Sequence, residues 1–315
     1  MPNTLVIYNP TAGRGRTQAH WPRVEKALVD SGVEFEAVAT RSPLEATALA
    51  ERASQSYSSV VGVGGDGTLH EIVNGLLRAS GEAETIAVGI IPLGNGDDFA
   101  KMIPPETPVG GKPFDWQNAV TKIARGKTHL FDVGRITSNP PPSKAHNRPH
   151  YFINSLDVGF GAQGSHNFRT IPKFLSGLPA YLAAVLKTLI NYSIPNVRIQ
   201  LDDQPAFEQS TTITAVMNGR CFGNGFWVCP EARADDGLLD VMVAQALGRA
   251  SILKLIPKIM KGTHVNEPVL SMHRARRVEI ESQEPLLIEA DGEFPYLGTH
   301  HLKIEILHQK LRMIV

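Results

Sequence analysis

The chain has 315 residues, 42% of them hydrophobic and 20% charged, a length suited to two globular domains of roughly 100 to 200 residues each rather than to one core. Its 31 basic and 31 acidic residues cancel, which excludes a protein that coats nucleic acid by bulk charge, so no nucleic-acid partner is expected. Two cysteines, Cys221 and Cys229, and 11 histidines without close His/Cys spacing exclude a disulfide framework and a zinc site, and fit a reducing cytoplasm.

The opening Met1 to Tyr8 lacks the basic flank and long apolar core of a signal peptide, and export is not expected. Through residue 134, short apolar runs alternate with amphipathic stretches. Leu5 to Tyr8, Phe35 to Ala39, Val60 to Val63, Ile86 to Ile91 and Phe131 to Val133 read as buried strands, with helices between them. Leu69, Ile72, Val73, Leu76 and Leu77 recur at helical spacing and form one apolar stripe. Ser42-Pro43-Leu44-Glu45, with Pro43 at the first helical position, and Thr68-Leu69-His70-Glu71 have the form of capping boxes. Such alternation predicts a parallel sheet covered on both faces, with any ligand beyond the carboxyl ends of its strands.

The character changes after Arg135. Asn139 to Lys144 is a proline-rich polar segment, followed by strand-like runs at Tyr151 to Val158, Val197 to Leu201, Thr211 to Met217, Leu238 to Val243, Val278 to Glu281, Leu286 to Glu289 and Leu302 to Leu307. This half reads as a mostly β sandwich with helices at Phe174 to Tyr192 and Ser251 to Lys261. The first of these helices is broken by Gly177, Pro179 and Lys187, short of the roughly 20 apolar residues that span a bilayer. No internal repeat or low-complexity tract interrupts the chain.

Three turns carry the chemistry. Gly64-Gly65-Asp66-Gly67-Thr68 lies between a strand and a helix, where glycines let a backbone approach phosphate, free N–H groups favour an anion, and Asp66 can hold a cation or a reacting hydroxyl. Asn9-Pro10-Thr11-Ala12-Gly13-Arg14-Gly15-Arg16 and Pro92-Leu93-Gly94-Asn95-Gly96-Asp97-Asp98-Phe99-Ala100-Lys101 each follow another strand, on the same edge if the sheet is parallel. Taken singly, each also suits a plain loop, with Thr68 merely an N-cap; three together predict a nucleotide phosphate site.

These turns, with the later Phe131-Asp132-Val133-Gly134, Tyr151-Phe152-Ile153-Asn154, Asp235-Asp236-Gly237-Leu238 and Asp291-Gly292-Glu293, resemble the diacylglycerol kinase catalytic domain family, in the form of its bacterial soluble lipid kinases. The likeness covers most of the chain. The Gly-Gly-Asp-Gly element alone is shared with NAD kinases and phosphofructokinases, whereas the Asn-Pro turn together with the late Asp-Gly-Glu is more specific.

The resemblance implies a three-layer α/β N-terminal domain of the phosphofructokinase and NAD-kinase type over residues 1–134, and a β-sandwich lipid-substrate domain over 135–302. The segment 303–315 would return to the first domain. It implies ATP bound by Asn9, Pro10, Thr11, Ala12, Gly13, Thr40, Gly64, Gly65, Gly67, Thr68, Leu69, His70, Glu71 and Asn95. Glu293 matches the general base, and Asp66, Asp98 and Asp132 match an acidic group around catalytic magnesium, as phosphoryl transfer requires. A structural magnesium ion would take the Asp236 carboxylate with main-chain carbonyls at Arg233 and Leu238, although Asp235-Asp236-Gly237 also reads as an ordinary turn.

The chain departs from the family pattern at Asn95, Asp97 and Lys101, where Thr, Asn and Arg are usual; the added Asp97 carboxylate is expected to draw metal or repel ATP. The expected activity is transfer of the γ-phosphoryl group of ATP to a lipid hydroxyl, with diacylglycerol as the default acceptor and phosphatidic acid the product. The alternatives are a sphingoid base or another lipid alcohol, or a nucleotide-binding regulatory protein without turnover. The segment that an NAD kinase carries for its nicotinamide site is not found. Cytoplasmic residence with transient membrane contact is expected, through the helix around Leu178 to Leu186 or the basic group Lys254, Lys258, Lys261, His273, Arg274, Arg276 and Arg277. A homodimer is an open expectation.

Overall fold

The computed structural model describes residues 3–103, 115–138, 149–172, 175, 178–223 and 225–315. The proline-rich segment Asn139 to Lys144 and the start of the predicted helix at Phe174 lie outside the described residues.

The N-terminal part runs β1 (Thr4–Tyr8), α1 (Arg16–Asp30), β2 (Phe35–Ala39), α2 (Glu45–Ala53), β3 (Ser59–Gly64), α3 (Asp66–Ser80), β4 (Ala87–Pro92), α4 (Trp116–Arg125) and β5 (Thr128–Ser138). The first four strands are parallel in the order β2-β1-β3-β4. Leu69, Ile72, Val73, Leu76 and Leu77 of α3 pack with Ala46 and Ala50 of α2 in one apolar cluster. A second joins Trp21, Val24 and Leu28 of α1 to Ala119, Val120 and Ile123 of α4. Residues alternating along one strand divide between the two, Leu5 and Ile7 into the first and Val6 into the second, because successive side chains of a strand point to opposite faces.

The remainder runs β6 (His150–Phe152), β7 (Ser155–Gly159), α5 (Phe160–Phe168), α6 (Leu178–Asn191), β8 (Asn196–Leu201), β9 (Phe207–Met217), β10 (Leu239–Gln245), α7 (Arg249–Met260), β11 (Leu270–Ala275), β12 (Arg277–Ala290) and β13 (Leu297–Ile314). Its strands pair antiparallel: β12 joins β8 and β13 with its first half and β7 with its end. They enclose a core of alternating residues that includes Leu156, Val158, Val197, Ile199, Val241, Val243, Ile288 and Ile304. The long strand β13 pairs along β5 from Leu302↔Ser138 to Ile314↔Thr128 and touches β4 at Met313↔Val88.

Several local expectations are corrected. The run Tyr151 to Val158 is two strands, because side chains capture its middle: the Asp291 carboxylate accepts from Ile153, Asn154 and Ser155 N–H, and Asn218 donates to the Ile153 carbonyl. The two runs within 278–289 are one bulged strand. Helix α3 begins at Asp66 with Gly65 as its cap, not at Thr68, whose hydroxyl accepts from Asn9 Nδ2 at 3.3 Å. Glu71 does not close a box on its own helix; its carboxylate accepts from Ala46 N at the start of α2. Helix α2 begins at Glu45, two residues later than the Pro43 start, after Leu44 takes φ 65°; Glu45 does accept from Ser42 N.

Candidate active site

The carboxyl edge of the parallel sheet is where the three turns meet. Register pairs Tyr8 with Ala39 and Val63, and Gly64 with Pro92, so the chain leaves each strand at the same level. The turns touch backbone to backbone. A Cβ on Gly94 would lie 2.4 Å from Gly65 Cα, and one on Gly13 would lie 2.2 Å from the Leu93 carbonyl oxygen. Any side chain there would push the turns apart. Arg16 fastens the first turn to the third by donating to the Leu93 and Gly94 carbonyls, a role not assigned from the sequence.

Asn9 shapes the first turn through its Oδ1, which accepts from the Thr11 N–H and hydroxyl, while Thr40 N–H donates to the Tyr8 carbonyl beside it. A Cβ on Gly67 would meet nothing within 4 Å, leaving open space at the first turn of α3, where unpaired N–H groups and the helix dipole favour an anion. The Leu69 and His70 side chains turn inward instead. Leu69 joins the core, and His70 faces Asp291 Oδ2 at 3.2 Å, so neither offers its side chain to a nucleotide.

Asp66 and Asp98 converge. A Cβ on Gly96 would lie 3.1 Å from Asp66 Oδ2 and 3.5 Å from Asp98 Oδ2. Burial, reinforced by the Asp98 charge, pushes the Asp66 carboxyl up to about 7. Asp66 Oδ1 accepts from Phe99 N, and Lys101 Nζ stands 2.5 Å from Asp98 Oδ1. Two hard carboxylates directed at one point, one of them costly to ionise alone, fit a divalent cation such as magnesium. Asp97 does not join them: at φ 49° it turns its Oδ1 back to accept from Gly94 N, and burial pushes its carboxyl up to about 6. At 97 the departing carboxylate serves the turn, while its charge still bears on Asp66.

Asp132 is also corrected. It is fully buried, and its oxygens are taken by Gln309 N, Gly237 N and His308 Nδ1 at 2.7, 2.6 and 2.8 Å. It joins the turn before β10 to the bulge in β13 rather than meeting Asp66 and Asp98.

In the second magnesium set, Asp236 Oδ1 accepts from Leu238 N at 3.1 Å and Oδ2 is held by the Arg274 guanidinium, so the carboxylate that would face a cation beside the Arg233 and Leu238 carbonyls is engaged by an internal cation in this structure.

A cavity of about 880 Å³ opens from this edge. Arg14, Asp66, Asn95 and Asp98 of the turns and Asp291 and Gly292 line it together with the apolar Val185, Ile213, Phe226, Met242, Leu255 and Ile259. Asp291 and Gly292 have φ 49° and 86° between the bridged pair Ala290 and Glu293, the two-residue hairpin turn that Asp-Gly favours. Glu293 follows, half exposed and outside the residues that line the cavity, with Arg169 Nη2 3.1 Å from its Oε2. The sequence identified the motif but not the work of Asp291: its buried carboxylate takes three successive N–H groups of the β6–β7 link and seats the turn against it.

A sheet edge of glycine turns with a carboxylate pair, joined by one cavity to a second acidic turn on a β-sandwich, defines a phosphoryl-transfer enzyme of the nucleotide-dependent kinase class. The family described as diacylglycerol kinase catalytic domain matches residues 3–136, and the one described as YegS C-terminal NAD kinase beta sandwich-like domain matches residues 155–315. This chain belongs to the diacylglycerol kinase catalytic domain family and is thereby an ATP-dependent lipid kinase. It is 28% identical to a diacylglycerol kinase of Staphylococcus carnosus (strain TM300), over 92% of this chain and 88% of the relative. It is 26% identical to one of Bacillus subtilis (strain 168), over 93% and 90%. The crystal structure of a diacylglycerol kinase from Bacillus anthracis str. Sterne shares the fold, with a TM-score of 0.71 at 22% identity over 99% of this chain and 96% of that one.

Proposed function

We propose that the acceptor is diacylglycerol and the product phosphatidic acid. The observation that carries this reading is the continuity of one cavity from the Asp66 and Asp98 carboxylates to a deep apolar wall, which suits a lipid whose hydroxyl must meet a phosphate while its chains stay out of water. The three turns of Asn9 to Gly13, Gly64 to Thr68 and Asn95, with Thr40 beside them, bind the nucleotide, its phosphates facing the start of α3. Magnesium would be held by Asp66 and Asp98, where it supplies positive charge to the phosphates.

Glu293 accepts the proton of the lipid hydroxyl. The hydroxyl oxygen forms a bond to the γ-phosphorus as the bond to the bridging oxygen of the β-phosphate breaks, and ADP leaves. The apolar walls exclude water, which would otherwise compete for the phosphoryl group. The nucleotide part, residues 1–134 with 303–315 returning to it, is read as the three-layer arrangement of phosphofructokinases and NAD kinases, and residues 135–302 as the lipid-substrate part.

No described helix is long and apolar enough to cross a membrane, so the lipid is met from the surface. Helix α6 supports that reading in part. Ala180, Ala184, Val185 and Leu189 are buried, whereas Leu182, Leu186 and Ile190, four residues apart, are 46%, 56% and 66% exposed; one face packs on the protein and the other faces out. On α7, Leu253 and Met260 are exposed as well. The basic group is weaker than its count: Lys258 pairs with Glu267, Arg274 with Asp236 and Arg277 with Asp203. The enzyme works as a cytoplasmic protein that visits the bilayer through the apolar faces of α6 and α7. Incubation with labelled ATP, magnesium and a total lipid extract tests the acceptor. Label in phosphatidic acid is the expected result, and label confined to a phosphorylated sphingoid base would replace diacylglycerol in this reading.

A further inference from the structure

His70 belongs to the helix that opens the nucleotide edge, yet its side chain serves the other half of the protein. It lies four residues after Asp66 on α3, so the two side chains leave the same face of the helix one turn apart. The ring is buried, and its Nδ1 stands 3.2 Å from Asp291 Oδ2 of the turn that follows β12. The His150 ring of β6 packs beside it, with centroids 4.9 Å apart. The reaction as described gives this contact between the two halves no task.

The hydrogen bonds around the ring fix which nitrogen carries its proton. Tyr151 N–H donates to Asn74 Oδ1 at 3.1 Å, so the other end of that amide, Nδ2, faces the Tyr151 and His70 carbonyls at 3.0 Å and His70 Nε2 at 3.3 Å. Two N–H groups serve these three acceptors, one of them shared. Nε2 therefore meets a donor and must accept, which leaves the proton on Nδ1, directed at Asp291; a doubly protonated ring would set two donors against each other at Nε2. The Asp291 carboxylate thus receives the His70 Nδ1–H in addition to the N–H groups of Ile153, Asn154 and Ser155, at 2.7, 3.0 and 2.9 Å. Three donors hold it to the link between β6 and β7, and the fourth holds it to α3.

We propose that His70 is a positioning residue, whose Nδ1–H ties the Asp291-Gly292 turn to α3 and so sets the acceptor side of the cavity against the nucleotide side. Both ends of this link border the reaction: Asp66, one turn before His70, lines the cavity with Asp98, and Asp291 and Gly292 line it as well. Glu293 follows Gly292 directly, so the inference rests on the reading of Glu293 as base. One turn of helix is a rigid spacer, and a hydrogen bond through it sets the spacing of the cation and the base. A reacting group displaced by about 1 Å costs roughly 100-fold in rate. Because three main-chain N–H groups still hold Asp291 when the fourth donor is lost, that loss is read in rate before it is read in folding.

The test uses the whole enzyme with detergent-dispersed diacylglycerol. His70→Leu fills the space and removes the donor, and is expected to lower kcat by about 10- to 100-fold with the dissociation constant for ATP unchanged. His70→Asn carries an amide N–H close to the place of Nδ1–H and is expected to recover most of that loss, whereas a ring that only filled space would be replaced better by leucine. Parent kcat in His70→Leu, an asparagine variant no faster than the leucine variant, or a loss explained by weaker ATP binding each overturns the proposal, the last by making His70 a nucleotide contact. Nitrogen NMR of labelled histidine rings gives a readout that does not depend on the apolar variant folding: the ring whose signals vanish in His70→Asn should be protonated at Nδ1 and bare at Nε2, and a proton on Nε2 overturns the link to Asp291. Glu293→Gln run alongside separates the two readings. Normal turnover in that variant removes the base and this proposal with it, whereas an inert Glu293→Gln beside an unimpaired His70→Leu defeats the proposal alone.

Discussion

Two acidic turns of this protein look alike as strings and differ as sites. Gly94-Asn95-Gly96-Asp97-Asp98 and Arg233-Ala234-Asp235-Asp236-Gly237 each place two adjacent aspartates beside glycine. In the first, Asp97 folds back on Gly94 N and leaves Asp98 to converge with Asp66 beside Gly96, at the border of the cavity. In the second, both aspartates are already neutralised, Asp235 by His129 and Arg233 and Asp236 by Arg274. Both turns carry an internal cation, Lys101 on Asp98 as Arg274 on Asp236; what separates them is that a second buried carboxylate, Asp66, pushed up to about 7, converges with Asp98 at the cavity, and that depends on a residue more than 30 positions away.

The largest effect that separates the functional edge from the rest is at the base. Glu293→Gln is expected to lower transfer by about 10²- to 10⁴-fold while ATP affinity stays near that of the parent; single-turnover transfer and nucleotide binding measured on the same preparation check it, and activity within a factor of a few would remove Glu293 from the reaction. Asp66→Asn is expected to weaken magnesium-dependent ATP binding as well as rate. Asp236→Ala supplies the counterpart. It should cost about 1 kcal/mol through the lost Arg274 pair and the lost acceptor for Leu238 N–H, yet leave the magnesium-induced rise in melting temperature as large as in the parent. A magnesium response that disappears in Asp236→Ala and persists in Asp66→Asn would reverse the contrast.

A smaller effect is expected from pH. Asp157 and Glu289 have carboxyls raised by burial, Glu289 also by the Asp291 charge. A raised carboxyl stabilises the fold fully below the ordinary carboxylate range and loses that contribution as pH climbs through the raised value. Melting temperatures of the parent should therefore fall relative to those of Asp157→Asn/Glu289→Gln as pH rises above the ordinary carboxylate range, because the amides have no proton to lose. Parallel curves would mean that the pair is not protonated in the folded state.

Much of the nucleotide edge was legible because its determinants are local. Phe35 to Ala39 is a strand as read, and the glycine turns follow their strands directly, so period and punctuation suffice. Where a side chain found a partner distant in sequence, local signals misled. Thr68 and Glu71 have the spacing of a capping box but are engaged by Asn9 and Ala46. The Tyr151 to Val158 run is broken by Asp291, more than 130 residues on. Asp132 carries the family's acid at the expected place, yet its lone pairs are directed to Gly237 and Gln309. Helix α5 escaped notice because Phe160 to Phe168 is rich in glycine and short polar residues and buries only Ala162, leaving no apolar stripe to detect.

The least expected change in stability belongs to the apolar face of α6. A charge introduced at a buried position unfolds a domain, whereas one introduced at an exposed position leaves it folded. Leu182 is 46% exposed and continues through Leu186 and Ile190 as one stripe, so Leu182→Asp should keep the parent melting temperature to within the scatter usual for surface substitutions. Its cost should be confined to the interface: apolar area that enters a bilayer stabilises the bound state, and a carboxylate in its place opposes that and repels anionic headgroups. Activity on phospholipid vesicles should fall severalfold more than activity on detergent-dispersed lipid. Because the net charge is zero and Lys258, Arg274 and Arg277 are paired, vesicle binding should depend more on this stripe than on salt. Sedimentation with anionic vesicles across a salt series separates the two contributions: binding abolished by about 0.5 M salt in the parent, where charges beyond a few Å are screened, and untouched by Leu182→Asp would assign the docking to charge instead.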